Sequence, residues 1–296
     1  MAEDSIQSTN DASNFLSALI CGGLAGTSVD VALFPIDTLK TRLQSPQGFA
    51  KAGGFRGIYN GLGAAAIGSA PGAALFFSTY ETLKPVFSDL QERYNIQPDQ
   101  GAISHMAAAS VGESAACLVR VPTEVIKAKM QTGTGGTGGG LKTTIQMVLK
   151  ETHGTQHNIL APIFGGLYRG YAITLMREIP FAMIQFPLYE QFKLSWSDYQ
   201  GVAVSPVQAA ACGSFAGAIA AGATTPLDVV KTRLMLGVDQ HGNHYRNAMD
   251  VVQKTMAESP MKFWSGVQPR VMWISIGGFV FFGAYEGFRS VFSTVL

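Results

Sequence analysis

Three acid–base pairs recur at one short spacing, each just behind a proline. Asp37 and Lys40 follow Pro35, Glu124 and Lys127 follow Pro122, and Asp228 and Lys231 follow Pro226. Acid and base three apart share one helix face, so each helix can give its acid to one neighbour and its base to another. Their chemistry is reversible ionic pairing. A second motif runs in phase: Tyr80-Glu81 with Lys84, Tyr189-Glu190 with Lys193, and Tyr285-Glu286 with Arg289. Two motifs in phase about a hundred residues apart mark an internal repeat. Bond-making groups are not legible. No Ser-His-Asp grouping stands out, and His153, His157, His241 and His244 lie in polar stretches. Cys21, Cys117 and Cys212 form no CxxC pair and imply neither zinc nor a disulfide framework. Gly133, Gly135 and Gly138 match GxGxxG, but that signature needs a preceding strand, and the stretch reads as a linker. No cofactor and no metal are expected.

The elements that must carry these motifs are long and apolar. Charged residues make up 14% of the 296, against about 25% in soluble domains, and a net charge of +1 gives no basic field for nucleic acid. Segments 14–36, 62–79, 102–122, 170–192, 205–227 and 266–288 are mostly apolar, and each spans about 30 Å as a helix. Two such segments per repeat predict an all-α membrane protein with six transmembrane helices; a soluble helical protein is the alternative. Gly22/Gly26 and Gly213/Gly217 are steps that let helices in lipid approach closely. The expected organisation is a polar tail over 1–13, without the marks of a secretory signal or transit peptide, then repeats at 14–92, 101–196 and 205–293. Each repeat reads as helix, loop with room for a short helix, then helix.

The three copies of P-x-[D/E]-x-x-K-x-[K/R], with their Y-E-x-x-[K/R] partners, resemble the mitochondrial carrier family over about residues 14–291. The resemblance implies three pseudo-symmetric two-helix repeats around a central cavity in the mitochondrial inner membrane. It implies a matrix gate pairing Asp37 with Lys127, Glu124 with Lys231 and Asp228 with Lys40. Gln44 and Gln131 match the family's braces beneath that gate, and the third place is Met235. The cytoplasmic gate would be built from Tyr80, Glu81, Lys84, Tyr189, Glu190, Lys193, Tyr285, Glu286 and Arg289. Opening one gate while the other closes gives alternating access. "YNG", "YRG" and "WSG", ending at Gly61, Gly170 and Gly266, resemble the family's cardiolipin sites, with Arg169 completing the motif in the second. An interfacial aromatic anchor is the other reading of these turns. A monomer suffices for such a pathway.

Symmetric residues run such a machine, so asymmetric polar residues are the candidates for cargo. Places nine, five and two before the proline fall within about 60° on a helix, which puts Asp30, Glu113 and Arg120 on one face. Before the tyrosines stand Phe76, Phe77, Arg177, Glu178, Gln185 and Trp273. A phosphate-rich cargo would call for surplus bases, whereas this set leans acidic. Arg177-Glu178 resembles the arginine–acid pair of the family's amino-acid carriers, arginine for an α-carboxylate and acid for an α-ammonium. Asp30 and Glu113 remain for a further positive charge, and the aromatics for a ring or cation. Arg120 either faces the cargo or partners Glu113 or Glu124. A zwitterion with an extra cation and an aromatic base describes S-adenosylmethionine, and the resemblance implies its exchange for S-adenosylhomocysteine. The acids fit a sulfonium and by themselves do not exclude ornithine or an acylcarnitine. An enzyme acting on such a molecule would need a glycine loop after a strand or cluster-binding cysteines, and neither is legible.

Overall fold

The computed structural model describes residues 28–93, 101–134, 140–152 and 166–280. Helix α1 covers 28–44, and α2 runs Leu62–Arg93, α3 Gly101–Thr132, α4 Leu141–Thr152, α5 Tyr171–Gln200, α6 Pro206–Leu236 and α7 Ala248–Glu258. A 3-10 turn at Pro260–Trp264 precedes α8 at 267–280. The described residues contain no strand, only an isolated antiparallel bridge between Val238 and His244. Leu62–Leu90 and Pro206–Leu236 are long and apolar enough to cross a membrane by length and composition. Helices α3 and α5 match them in length, with 32 and 30 residues, but carry Glu113, Arg120, Arg177 and Glu178 in mid-course. Helix α5 leaves Met176, Ile179, Met183 and Phe186 exposed, three to four residues apart, as a lipid-facing stripe would be.

Prolines inside helices remove a hydrogen bond, and lipid tolerates them where other groups satisfy the freed carbonyl. Pro122 lies within α3 and cannot donate to Leu118 four residues back; the Tyr168 hydroxyl donates to that carbonyl at 2.9 Å instead.

The chain divides into two compact units. One comprises Thr41–Ile179 with Pro226–Ser265; the other comprises Pro180–Thr225 with the described parts of Met1–Lys40 and Gly266–Leu296. Within the first, α2 and α3 pack backbone to backbone. A Cβ at Gly68 would stand 2.6 Å from Thr123 Cγ2, and one at Gly112 would stand 3.2 Å from the Phe76 carbonyl. In the second unit a Cβ at Gly217 would lie 2.7 Å from Ile274 Cγ2, so that glycine supports the close approach read from its spacing. Gly22 and Gly26 lie outside the described residues.

Two apolar clusters seat the short helices of the first unit. Val148 of α4 packs with Cys117, Val121, Val125 and Met235, and Val251 of α7 packs with Ile173, Val230, Leu234 and Tyr245. Asn247 caps α7, its side-chain oxygen accepting from the Asp250 N–H at 2.8 Å. The segment between α1 and α2 carries no short helix. Residues 45–61 are turns, because Gly48, Gly53, Gly54 and Gly57 take positive φ. Arg42 fills this bend, donating to the Gln131, Gly54 and Gly57 carbonyls at 2.7, 2.6 and 3.1 Å.

Candidate functional site

Helix α3 sets Glu113, Arg120 and Glu124 seven and four residues apart, which is one face. The Arg120 guanidinium is bonded to Glu113, stands 3.6 Å from Glu124 through Nε and reaches Glu178 of α5 at 3.5 Å. Glu178 is also bonded to Arg177, whose Nε lies 3.8 Å from Asp228 of α6. Glu124 forms an ion pair with Lys231 Nζ at 2.7 Å. Asp228 accepts from Gln44 Nε2 at 2.9 Å, and Gln44 Oε1 accepts from the Thr232 hydroxyl at 2.6 Å. Seven of the expected charged residues are therefore joined in one continuous network: Glu113, Arg120, Arg177, Glu178, Asp228, Glu124 and Lys231. Gln44 extends it.

Of the three expected acid–base pairs, Glu124–Lys231 is formed within this unit. Lys127 lies half-buried on α3, and Asp37 and Lys40 lie half-buried on α1 in the other unit. The pair that is formed should stabilise only modestly, because desolvation offsets the Coulomb gain. Gln44, expected as a brace, is fully buried and joins Asp228 to Thr232. Gln131 is buried on α3, its carbonyl taken by Arg42. Met235 sits in the apolar cluster with Cys117, Val121 and Val125.

The remaining cargo candidates divide between the units. Phe76 of α2 lies against Gly112, next to Glu113, and stacks on Tyr80 with centroids 6.0 Å apart. Asp30 of α1, Gln185 of α5 and Trp273 of α8 are half-buried in the other unit. The Phe77 side chain lies outside the described residues.

At the tyrosine motifs, Lys84 Nζ stands 5.9 Å from the Tyr80 ring centroid, and Glu81 is exposed. Lys193 lies 4.8 Å from the Tyr189 centroid and pairs with Glu190 on its own helix at 3.3 Å. Tyr285, Glu286 and Arg289 lie outside the described residues. Gly61, Gly170 and Gly266 open α2, α5 and α8 with φ of 95°, 98° and 76°, a conformation only glycine adopts readily. Arg169 donates to the Tyr245 carbonyl.

A family model described as mitochondrial carrier protein matches residues 11–91, 98–200 and 202–296. The chain belongs to the mitochondrial carrier family. Membership makes it a transporter rather than an enzyme, and places it in the mitochondrial inner membrane as a multi-pass protein. It is 49% identical over 273 residues to the S-adenosylmethionine mitochondrial carrier protein homolog of Drosophila melanogaster, covering 92% of this chain and 91% of the relative. It is 45% identical over 284 residues to the mitochondrial S-adenosylmethionine carrier protein of Mus musculus, covering 95% and 96%. With the protein of that name from Xenopus tropicalis it shares 47% identity over 278 residues, 94% and 96% of the two chains.

Sequence reading missed three buried bases of this carrier. Arg42 anchors the first bend. Arg233, fully buried on α6, donates to the Gln44 carbonyl at 3.3 Å, to Thr255 at 3.0 Å and to Glu258 of α7 at 3.0 Å, tying α7 to α6. The signal was on the page, since Arg42 and Arg233 are the second bases of the proline motif. Arg270, buried on α8, donates to the Thr224 hydroxyl at 2.9 Å, and no repeated position announced it.

Proposed function

We propose that this carrier imports S-adenosyl-L-methionine into the matrix in exchange for S-adenosylhomocysteine, alternating between two gates. One observation carries the cargo reading: Arg177 and Glu178 stand adjacent, with Glu113 joined to Glu178 through Arg120. Arg177 suits an α-carboxylate, Glu178 an α-ammonium and Glu113 the sulfonium, since a charge within a membrane pathway needs an opposite partner. Phe76, on the turn of α2 facing Gly112, offers a ring to the adenine or the sulfonium. Asp30, Phe77, Gln185 and Trp273 are the further residues the sequence assigns to this cargo. The names of the relatives point the same way.

Glu124–Lys231 is then one bridge of the matrix gate, and Asp37–Lys127 and Asp228–Lys40 the other two. Gln44 and Gln131 act as braces. The tyrosine motifs form the cytoplasmic gate. The positive-φ turns at Gly61, Gly170 and Gly266 present helix N-termini to cardiolipin phosphates, a setting in which backbone N–H groups favour anions. The carrier works as a monomer.

The test is uptake of labelled S-adenosylmethionine into liposomes holding the purified protein, preloaded with S-adenosylhomocysteine, with ornithine, or empty. Rapid uptake against the adenosyl compound alone is expected. Uptake driven equally by ornithine, or none in any vesicle, overturns the cargo assignment and leaves the family unaffected. Glu113→Gln and Asp30→Asn should both impair uptake while the protein still folds.

A further inference from the structure

We infer that Arg120 is an internal counter-cation which the cargo displaces, and that its release is what loosens the Glu124–Lys231 bridge. The inference rests on the cargo reading above. Arg120 faces three carboxylates: Glu113, Glu124 and Glu178. Its Nη2 serves both Glu113 and Glu178 and also lies 3.4 Å from the Cys117 sulfur, while Nε faces Glu124. A cargo carboxylate arriving at this guanidinium would be brought up against the three acids. Arg177 has two, Glu178 and Asp228 at 3.8 Å, and is the better carboxylate ligand. Arg120 instead occupies the places that cargo cations need.

Two of its acids, Glu113 and Glu178, are those assigned to the sulfonium and the α-ammonium. The third, Glu124, is the acid that holds Lys231 at 2.7 Å. The Arg120 side chain is 37% exposed and Glu113 and Glu178 are 28% and 25% exposed, so the bridges are partly screened and an incoming cation can replace them at small cost. Once cargo cations hold Glu113 and Glu178, Arg120 keeps only Glu124 of its three acids. It then competes with Lys231 for one carboxylate. A ligand alters an equilibrium only through differential interaction with its two states, and this exchange supplies such a difference. Cargo charge becomes a weaker gate pair. A neutral molecule, unable to take the acids, leaves Arg120 in place and the bridge intact.

The experiment measures KM and maximal rate of S-adenosylmethionine uptake for wild type, Arg120→Gln and Arg120→Lys in liposomes, with thermal unfolding of each protein. In Arg120→Gln the acids are free, so KM should fall about tenfold, equivalent to about 1.4 kcal/mol. The maximal rate should fall by about as much, because nothing then contends with Lys231. Arg120→Lys keeps a cation but loses the fork that spans several acids, so its KM and rate should lie between the two. If Arg120→Gln does not fold, the lysine variant decides, with a lowered KM required. A raised KM would make Arg120 a direct ligand of the cargo and overturn the inference. So would wild-type KM with reduced thermal stability, the mark of a purely structural bridge. Wild-type protein that takes up no S-adenosylmethionine brings down the cargo reading itself, and the inference with it.

Discussion

Replacing Gln44 by alanine isolates the proposed brace beneath the charged network. The side chain is fully buried, donating to Asp228 at 2.9 Å and accepting from Thr232 at 2.6 Å. Losing a hydrogen bond to a charged group costs about 1.5–3 kcal/mol, and a buried hydroxyl left without its partner about 1 kcal/mol more. The combined loss is about 3 kcal/mol. At roughly 2 °C per kcal/mol for a chain of this size, the melting temperature should drop by about 6 °C. The assay is thermal unfolding of the detergent-purified protein, with Gln44→Met as the matching variant, because methionine stands at the third brace position. Gln44→Met should lose about as much, since a thioether gives Asp228 no donor. The converse change, Met235→Gln, should also destabilise, by placing an amide among Cys117, Val121 and Val125 without partners. A Gln44→Ala protein that melts within a degree of wild type would refute the reasoning, and so would a Met235→Gln protein that melts higher.

Two further outcomes follow from the unit that holds the network. Glu258→Gln removes the carboxylate facing fully buried Arg233 at 3.0 Å and Lys262 at 2.9 Å. Breaking a buried pair on one side costs about 3–5 kcal/mol, so melting should fall more than in Gln44→Ala, and protease access to the α6–α7 connection should rise. Asp239 is a pH probe. Burial pushes its carboxyl up, but backbone N–H groups of Asn243 and His241 and the Lys254 ammonium outweigh that and hold it below the ordinary 3.8. A carboxyl depressed in the folded state contributes stability above its unfolded value and loses it as pH falls through the folded one. Asp239→Asn should therefore melt below wild type at neutral pH, with the gap closing below about pH 3.8; a gap constant across that range would remove Asp239 from the account.

The sequence by itself determined the architecture and the cast. Proline, acid and base at fixed spacing, repeated three times with a tyrosine motif in phase, require helices that present charges on one face. In so apolar a chain those charges must find partners. That reasoning is local, because helix periodicity alone decides which residues share a face, and it reached Glu113, Arg120, Glu124, Arg177 and Glu178 individually. Tertiary structure decided who meets whom. Glu124 meets Lys231 and Gln44 braces Asp228 only because α1, α3 and α6 converge, and no spacing within one helix encodes a partner on another. Arg120 shows the limit most clearly. Its sequence position allowed either a cargo ligand or a partner for Glu113 or Glu124, and packing gave it both of those acids together with Glu178. Arg42 and Arg233 were legible as bases and illegible as anchors, because their acceptors are carbonyls of a bend and of helix ends, a hydroxyl on α7 and one distant carboxylate. Such acceptors have no sequence pattern. They exist once the chain has folded around them.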